Sequence, residues 1–466
     1  MPRVLLLVPT TTYRTHAFME AARRVGVDVT VASEQASALA KLNPTGLLTL
    51  KFRNPQQAAR QVVEFAAQHP IDAVVAVDDQ VTLVGAAICQ ALSLRHNSVP
   101  AVLAARNKHT MRELLDRAGV PQPRYRLASL ADDLASLADQ IDYPCVIKPL
   151  SLSASRGVIR ADDQREFAIA VERLAAILRT ESHPPSAVSV QDSGLDTEDS
   201  AAADGFLVEN FLAGPEVALE GLLSRGRLRV LALFDKPDPL DGPFFEETIY
   251  VTPSRLPALV QHEVAQCAER ACQAIGLAEG PVHAELRVSP KTTHDLPRTA
   301  QQSGGPCVIE VNARSIGGLC SRVLRFGTGI SLEELIIRHA LHPTFSPPAR
   351  EGQAAGVMMI PIPRAGVLRE VRGLAAARDV AGIEEVTIST RVGQELIPLP
   401  EGGLYLGFLF ARGESPEKVE AALRAAHAQL EFVIEPPSPL ERKSGEELTH
   451  RNKDGLSAIR VDFSRK

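Results

Sequence analysis

The chain has 466 residues, 45% of them hydrophobic, and a formal net charge of −6. That length calls for several cores rather than one, and a slight acidity spread over the chain offers no basic field to a nucleic-acid backbone. The longest apolar stretches, VLLLV and CVIEV, fall far short of the roughly 20 residues that span a bilayer, so neither nucleic acid nor membrane is an expected partner. The N-terminal stretch MPRVLLLVPTTTYRTHAF has no small-residue cleavage pattern and reads as a first strand. Scattered cysteines (Cys89, Cys145, Cys267, Cys272, Cys307 and Cys320) with no C-x-x-C fit a reducing, cytoplasmic setting. Cys267 and Cys272 read as packed helix residues.

In chain order, RVLLLV, a helix over 15–25, DVTVAS, a helix over 55–69, IDAVVAVDD and a helix over 81–92 alternate, the rhythm of a parallel sheet with helices on its faces. PTTTYR follows the first strand where a dinucleotide fold would place G-x-G-x-x-G, which removes the main support for hydride chemistry. The helix ARNKHTMRELLDRAG then opens a second unit and stops at Gly119 and VPQP. Antiparallel hairpins are expected after it: YPCVIKP with RGVIRA, FLVENFL with VALEGLL, and RLRVLAL with EETIYVT. The polar stretch 181–204 reads as a mobile surface insertion, and a second long loop, 289–306, separates VHAELRV from CVIEVNAR. From about residue 347, strands GVMMIPIP, VTIST and YLGFLFARG and a helix over 416–430 make a smaller unit, followed by a charged tail over 441–466 that is expected to fray. The fold class is therefore α/β and α+β multidomain: a parallel α/β domain over 1–102, a central domain with antiparallel sheets over 103–346, and an α+β domain over 347–440.

VHAELRV and CVIEVNAR can pair as antiparallel strands. With Val288 opposite Cys307, Glu285 falls opposite Glu310 and His283 opposite Asn312, and alternation places all four side chains on one face. Two carboxylates about 4 Å apart repel by on the order of 4 kcal/mol at an effective dielectric of about 20, so a cation or a shared proton must offset them. Mg²⁺ suits such an oxygen-rich set, being hard and usually shared between one or two carboxylates and substrate phosphates. The competing reading is a surface face neutralised by Arg287 and Arg314.

Other segments carry related chemistry. Lys148 ends the apolar strand YPCVIKP, either snorkelling to water or serving the loop SLSASRG after it, where Ser151, Ser153, Ser155 and Gly157 can wrap a phosphate with hydroxyls and backbone N–H groups. Lys108 begins a helix, where a cation opposes the dipole unless an anion lies nearby. VENFLAGPEVALE sets Glu209, Leu212 and Glu216 about a Gly-Pro turn, offering backbone groups to a purine edge and a carboxylate to ribose, or else forming a polar hairpin rim. No G-x-x-x-x-G-K-[ST] is present, so a P-loop is excluded. Gly317 and Gly318, after Arg314 and Ser315, either bring N–H groups against an oxyanion or make a tight turn. His339 and His342 lack a third ligand and read as surface polar groups rather than a zinc site.

RNKHTMRELLDRAGVPQP, YPCVIKPLSLSASRGV, VENFLAGPEVALEG, HAELRV and EVNARSIGG, in this order over residues 103 to about 345, resemble the ATP-grasp superfamily, and VVAVDDQVTLVGAAICQALSL is similar to its preceding α/β domain. The resemblance implies ATP and Mg²⁺, with Mn²⁺ as an alternative ion. It implies that Lys108, Lys148 and the Ser-rich loop contact phosphates, that Glu209 and Leu212 line the adenine, and that Glu216 holds the ribose. It places Glu285, Glu310 and Asn312 on the metal and Arg314, with Lys148, at the transferred phosphoryl group.

Within the superfamily, KPDPLDGPFFEETIYVTP and YLGFLFARGESPEKVEAALRAA resemble bacterial L-amino-acid ligases, which make dipeptides. There Glu247 matches the acidic residue that meets a substrate amino group, and Tyr250 stands where His is expected. The resemblance implies a carboxylate–amine ligase working through an acyl phosphate, with small carboxylic-acid and amine substrates near His283, Arg314, Gly317 and Gly318, and a homodimer. A biotin-dependent carboxylase would show a glycine-rich flap and a Q-x-E-H-like stretch where SLSASRG and ARSIGGLCSR stand. A purine-biosynthesis synthetase shares the ATP platform, and a non-catalytic ATP-binding regulator would be expected to lack Glu310 or Arg314.

Overall fold

The computed structural model describes residues 1–37, 43, 45–182, 204–288, 305–342 and 344–436. The expected insertion at 181–204, the loop at 289–306 and the tail at 441–466 lie, but for their edges, outside the described residues. β1 (Arg3–Leu7), β2 (Asp28–Ser33), β3 (Leu47–Thr49) and β4 (Ala73–Ala76) form a parallel sheet in the order β3-β2-β1-β4. After Arg3, β1 is apolar because both of its faces are covered. Val4 and Leu6 share a core with Phe18 and Ala21 of the helix Thr15–Val25. Leu5 and Leu7 pack with Val62 of the helix Pro55–Ala66 and Ile88 of the helix Asp79–Ala91.

ARNKHTMRELLDRAG is not one helix but the junction of two, Val99–Arg106 and Lys108–Arg117. Asn107 interrupts them with an extended backbone, and its Oδ1 accepts from the N–H groups of His109 and Thr110 at 3.0 and 3.1 Å, capping the second helix. β5 (Tyr125–Ser129), β6 (Cys145–Pro149), β7 (Ile159–Ala161) and β8 (Gly205–Asn210) then make an antiparallel sheet ordered β5-β8-β6-β7.

The remaining strands are β9 (Glu216–Ser224), β10 (Arg227–Asp235), β11 (Ile249–Thr252), β12 (Gly280–Val288), β13 (Pro306–Asn312), β14 (Ala354–Ile360), β15 (Gly366–Arg372), β16 (Ile383–Ile388), β17 (Glu395–Leu396), β18 (Gly407–Gly413) and β19 (Glu431–Glu435). Eight of them form one sheet, β13-β12-β9-β10-β11-β14-β18-β16, and β17-β15-β19 form a small one. The antiparallel pairing of β11 with β14 carries the large sheet continuously from the acidic hairpin into the C-terminal strands.

The expected hairpins pairing β6 with β7 and β10 with β11 are present. The expected hairpin of FLVENFL with VALEGLL is not: β8 pairs with β5 and β6, and β9 with β10 and β12. Each strand is nearly all buried and central in its own sheet, so neither has an edge to offer the other. Residues 211–215 cross from one sheet to the other. That crossing creates a cleft with a sheet on each side.

The acidic hairpin keeps Glu285 opposite Glu310 and His283 opposite Asn312, but Val288 faces Pro306 rather than Cys307. A β-bulge between these pairs inserts Ile309 as an extra residue. Ile309 and Glu310 consequently both turn partly into the cleft, and the Ile309 carbonyl accepts from Arg112 Nη2 at 2.7 Å.

Candidate active site

A cleft enclosing about 720 Å³, space open to solvent included, lies between the β5-β8-β6-β7 sheet and the β9–β12–β13 edge of the large one. Lys108, Lys148, Ser153, Ser155, Glu209, Leu212, Glu216, Glu247, Glu285 and Glu310 all line it. Ser151, Gly157, Tyr250, His283, Asn312, Arg314, Gly317 and Gly318 are not among its lining residues.

At one end, Lys148 Nζ and Arg112 Nε converge on the buried Glu209 carboxylate, each at 2.7 Å. Burial opposes charge on Glu209, but the guanidinium and the ammonium outweigh it and draw its pKa from 4.5 to about 2. Lys108 Nζ, at the start of its helix, lies 3.0 Å from Glu310 and donates to the Leu152 carbonyl at 2.8 Å, which answers why a cation occupies a helix N-terminus. In the loop 151–157, Ala154 and Ser155 hold left-handed backbones (φ 56° and 55°), a strained conformation for residues with a Cβ. The loop is fastened from outside: Gly157 N–H donates to Pro400 O at 2.9 Å and Arg156 Nε to Glu401 O at 3.1 Å. Arg173 grips the Glu401 carboxylate with both Nε and Nη2, at 2.5 and 2.8 Å.

At the other end, Lys236 Nζ sits among three carboxylates, 2.7 Å from Glu216, 2.5 Å from Glu247 and 3.5 Å from Glu285. Burial disfavours its charge, but these anions outweigh that and raise its pKa well above the ordinary value. Glu216 also has Arg287 at 3.0 Å, so despite burial its two cations hold it below the usual carboxylate range. Glu247 and Glu285 share the single ammonium and repel each other, and burial pushes both above that range. Tyr250 is fully buried, and its hydroxyl donates to Glu247 Oε1 at 2.6 Å. His283 lies between Glu220, 3.5 Å from Nδ1, and Glu285, 3.3 Å from Nε2.

A divalent cation suits this arrangement. Glu285 and Glu310 meet across adjacent strands, Glu310 adds to the repulsion that raises Glu285, and Asn312, opposite His283 in the same hairpin, could offer its amide oxygen. Glu216, Glu247 and Glu285 also have carboxylate oxygens within 4.8 Å of one another, but Lys236 already supplies a cation there. Glu285 belongs to both sets, and Glu310 likewise has a cation, Lys108, at 3.0 Å. Arg287 does not neutralise the hairpin face: its Nε is on Glu216, and its Nη groups donate to the Leu212 and Leu240 carbonyls.

The ATP-grasp domain family matches residues 141–323, the stretch that builds both walls of this cleft. The chain carries an ATP-grasp domain. An ATP-grasp N-terminal domain matches residues 19–96, and the L-amino acid ligase C-terminal domain 2 matches residues 358–435. The chain is 24% identical over 285 residues to alanine–anticapsin ligase of Bacillus subtilis (strain 168), covering 60% of this chain and 59% of that protein. It is 26% identical over 245 residues to dapdiamide A synthase of Enterobacter agglomerans, covering 52% of this chain and 49% of the synthase. The matched region thus spans about half to three fifths of these curated relatives. An L-amino acid ligase from Bacillus licheniformis shares the fold, with a TM-score of 0.71 at 24% identity over 93% of this chain and 99% of that one.

Several residues around the ATP-grasp cleft were not singled out from the sequence. Lys236 follows an apolar strand, as Lys148 does, and precedes the acidic run PDPLDGPFFEE; that repeated pattern was the available signal. Arg112 looks like a surface residue of its helix yet is buried on Glu209. Glu220 lies in the apolar run VALEGLL and is fully buried. Arg14, Asp79 and Glu333 come from segments too distant in sequence for spacing to connect them. His339 is not a surface group: it is buried, and its Nε2 lies 2.9 Å from the Leu223 carbonyl. The cysteines are free and buried, with Cys267 and Cys272 in the helix Ala258–Ile275. No helix among the described residues is long and apolar enough to cross a membrane.

The Glu209 cluster of the ATP-grasp cleft has a pH signature. Its folded-state pKa of about 2 lies below the ordinary 4.5, so its contribution is fully present above the unfolded value and drains as pH falls towards 2. The contribution is about 3 kcal/mol. The stability difference between wild type and Glu209→Gln, followed by urea unfolding, is expected to be largest above pH 5 and to shrink steadily below it.

Proposed function

We propose that this chain is an ATP-dependent carboxylate–amine ligase that activates an amino acid or similar acid as an acyl phosphate and joins it to an amine, releasing ADP and phosphate. The observation that carries this reading is the meeting, in one cleft, of two lysines suited to phosphates, the Glu285–Glu310 pair, and a Glu247 carboxylate suited to an ammonium group. The C-terminal match to L-amino acid ligases supports an amine acceptor over bicarbonate.

In this reading Lys108, Lys148 and the backbone of the 151–157 loop hold the triphosphate, and the 209–212 segment and Glu216 hold the nucleoside. A divalent cation on Glu285, Glu310 and Asn312 neutralises phosphate charge when bound. Lys148 and Arg314 stabilise charge on the phosphoryl group as the substrate carboxylate attacks it, which is catalysis by positioning and electrostatics. Glu247, fixed by Lys236 and the Tyr250 hydroxyl, orients the amine that displaces phosphate. Tyr250 in place of His leaves that carboxylate with a neutral hydrogen-bond donor in addition to the ammonium. The covering loop excludes water from the acyl phosphate and keeps the amine close.

Phosphate release from MgATP, measured over a grid of amino-acid pairs with and without bicarbonate, tests the assignment. Release is expected to require two amino acids and to match dipeptide formed, by mass spectrometry. Turnover dependent on bicarbonate alone would overturn it.

A further inference from the structure

The turn that follows β13 carries Arg314, and it is held almost entirely by charged groups from other parts of the chain. Arg314 Nε donates to Asp79 Oδ2 at 2.8 Å, and Nη1 donates to the Ser315 carbonyl at 3.1 Å. Its Nη2 has no hydrogen-bond partner among the described residues. The next residue, Ser315, accepts at Oγ from Arg14 Nη2 at 2.7 Å, and Arg14 is anchored in turn by Nη1 on the Val77 carbonyl at 2.9 Å. Ile316 N–H donates to the buried Glu220 Oε2 at 2.8 Å. Three consecutive residues are thus gripped from three elements, two of them in the N-terminal unit.

Asp79 is the first residue of the helix that follows β4, so the parallel sheet fixes its position. A guanidinium presents two donor edges in a rigid plane. When one edge is engaged by a carboxylate, the direction of the other is set. We infer that Asp79 is a positioning residue of the reaction: by holding Arg314 through Nε, while Nη1 rests on the Ser315 carbonyl, it aims Nη2 at the phosphoryl group in transfer. This rests on the ligase reading above and adds to it that the N-terminal unit is a working part of the site. Asp79 also supports the charge of Arg106, which burial disfavours. Arg14 is a poor probe, because its removal would strand the buried Glu333 carboxylate 3.8 Å away. Asp79 is a better one, since its side chain is 26% exposed and can be changed without opening a core.

The test uses the full chain and MgADP with aluminium fluoride, a mimic of a phosphoryl group in flight, read by titration calorimetry. Wild type is expected to bind MgADP more tightly when fluoride and aluminium are present. Asp79→Ala should lose about tenfold or more of that gain while affinity for MgADP alone moves less than twofold, because misplacing a catalytic group by about 1 Å removes its effect. Asp79→Asn, which keeps an acceptor oxygen for Nε, should retain most of the gain. In an Arg314→Ala background, Asp79→Ala should change nothing further.

Equal weakening of MgADP alone would mark Asp79 as merely structural, and an unchanged aluminium fluoride gain, an additive double variant, or no gain in wild type would each overturn the assignment. If Asp79→Ala does not fold, Arg314→Lys reads the same device from the other side. A single ammonium cannot hold Asp79 and a phosphoryl mimic with separate edges, so retention of the full gain would overturn the inference. The ligase reading fails separately, if amino-acid-dependent phosphate release is absent while the aluminium fluoride pattern holds.

Discussion

Glu310→Gln is expected to lower amino-acid-dependent phosphate release at least ~100-fold, the scale of losing one principal electrostatic contact to a transition state. The substitution keeps size and leaves a carbonyl oxygen that can still accept from Lys108 Nζ, now 3.0 Å from the carboxylate. What disappears is charge. Burial works against ionisation of Glu310, yet Lys108, Arg314 and Lys148 together bring its pKa down to about 2, so it is a full anion at any working pH. Its loss should therefore weaken the binding of MgATP much more than that of ATP in chelator, a comparison made by calorimetry on the folded variant. Undiminished turnover would show that the hairpin between β12 and β13 does not hold the metal.

Lys236→Met is expected to destabilise the protein by about 3–5 kcal/mol near neutral pH, the usual penalty for removing one partner of a buried ionic cluster. Three carboxylates would then face one another with only Arg287 to relieve Glu216. Glu247 and Glu285 already titrate above the ordinary range through burial, and without the ammonium they must rise further. A carboxylate whose folded-state pKa is raised favours folding below its unfolded value and loses that advantage as pH climbs through the folded one. The deficit of Lys236→Met against wild type, read by urea unfolding, should consequently be smaller at pH 5 than at pH 8. A deficit that did not change with pH would trace the loss to packing around Tyr250, whose ring lies 5.0 Å from Nζ, and not to the carboxylates.

The parallel N-terminal unit was legible because its strands are apolar runs and its helices are amphipathic, both of which are local patterns. The Glu285–Glu310 opposition was legible for the same reason, since alternation and antiparallel register are set within a few residues. The bulge at Ile309 was not, because it arises where the buried Arg112 takes a carbonyl from a helix nearly two hundred residues away in sequence. The false hairpin between β8 and β9 has a related cause. Two adjacent apolar strands with a Gly-Pro turn look self-sufficient, and only their other neighbours show that each belongs to a different sheet. Lys236, Asp79 and Arg14 act through partners on remote elements, so residue spacing carries no trace of their roles.

The Ser-rich loop over the nucleotide end is tied by Pro400 and Glu401 to a segment lying some two hundred and forty residues further along the chain. Any motion that lifts the loop must first part it from Pro400 and Glu401. If the loop covers a nucleotide as proposed, exchange of that nucleotide is mechanically joined to a seam that runs from the 151–157 loop to the last third of the polypeptide.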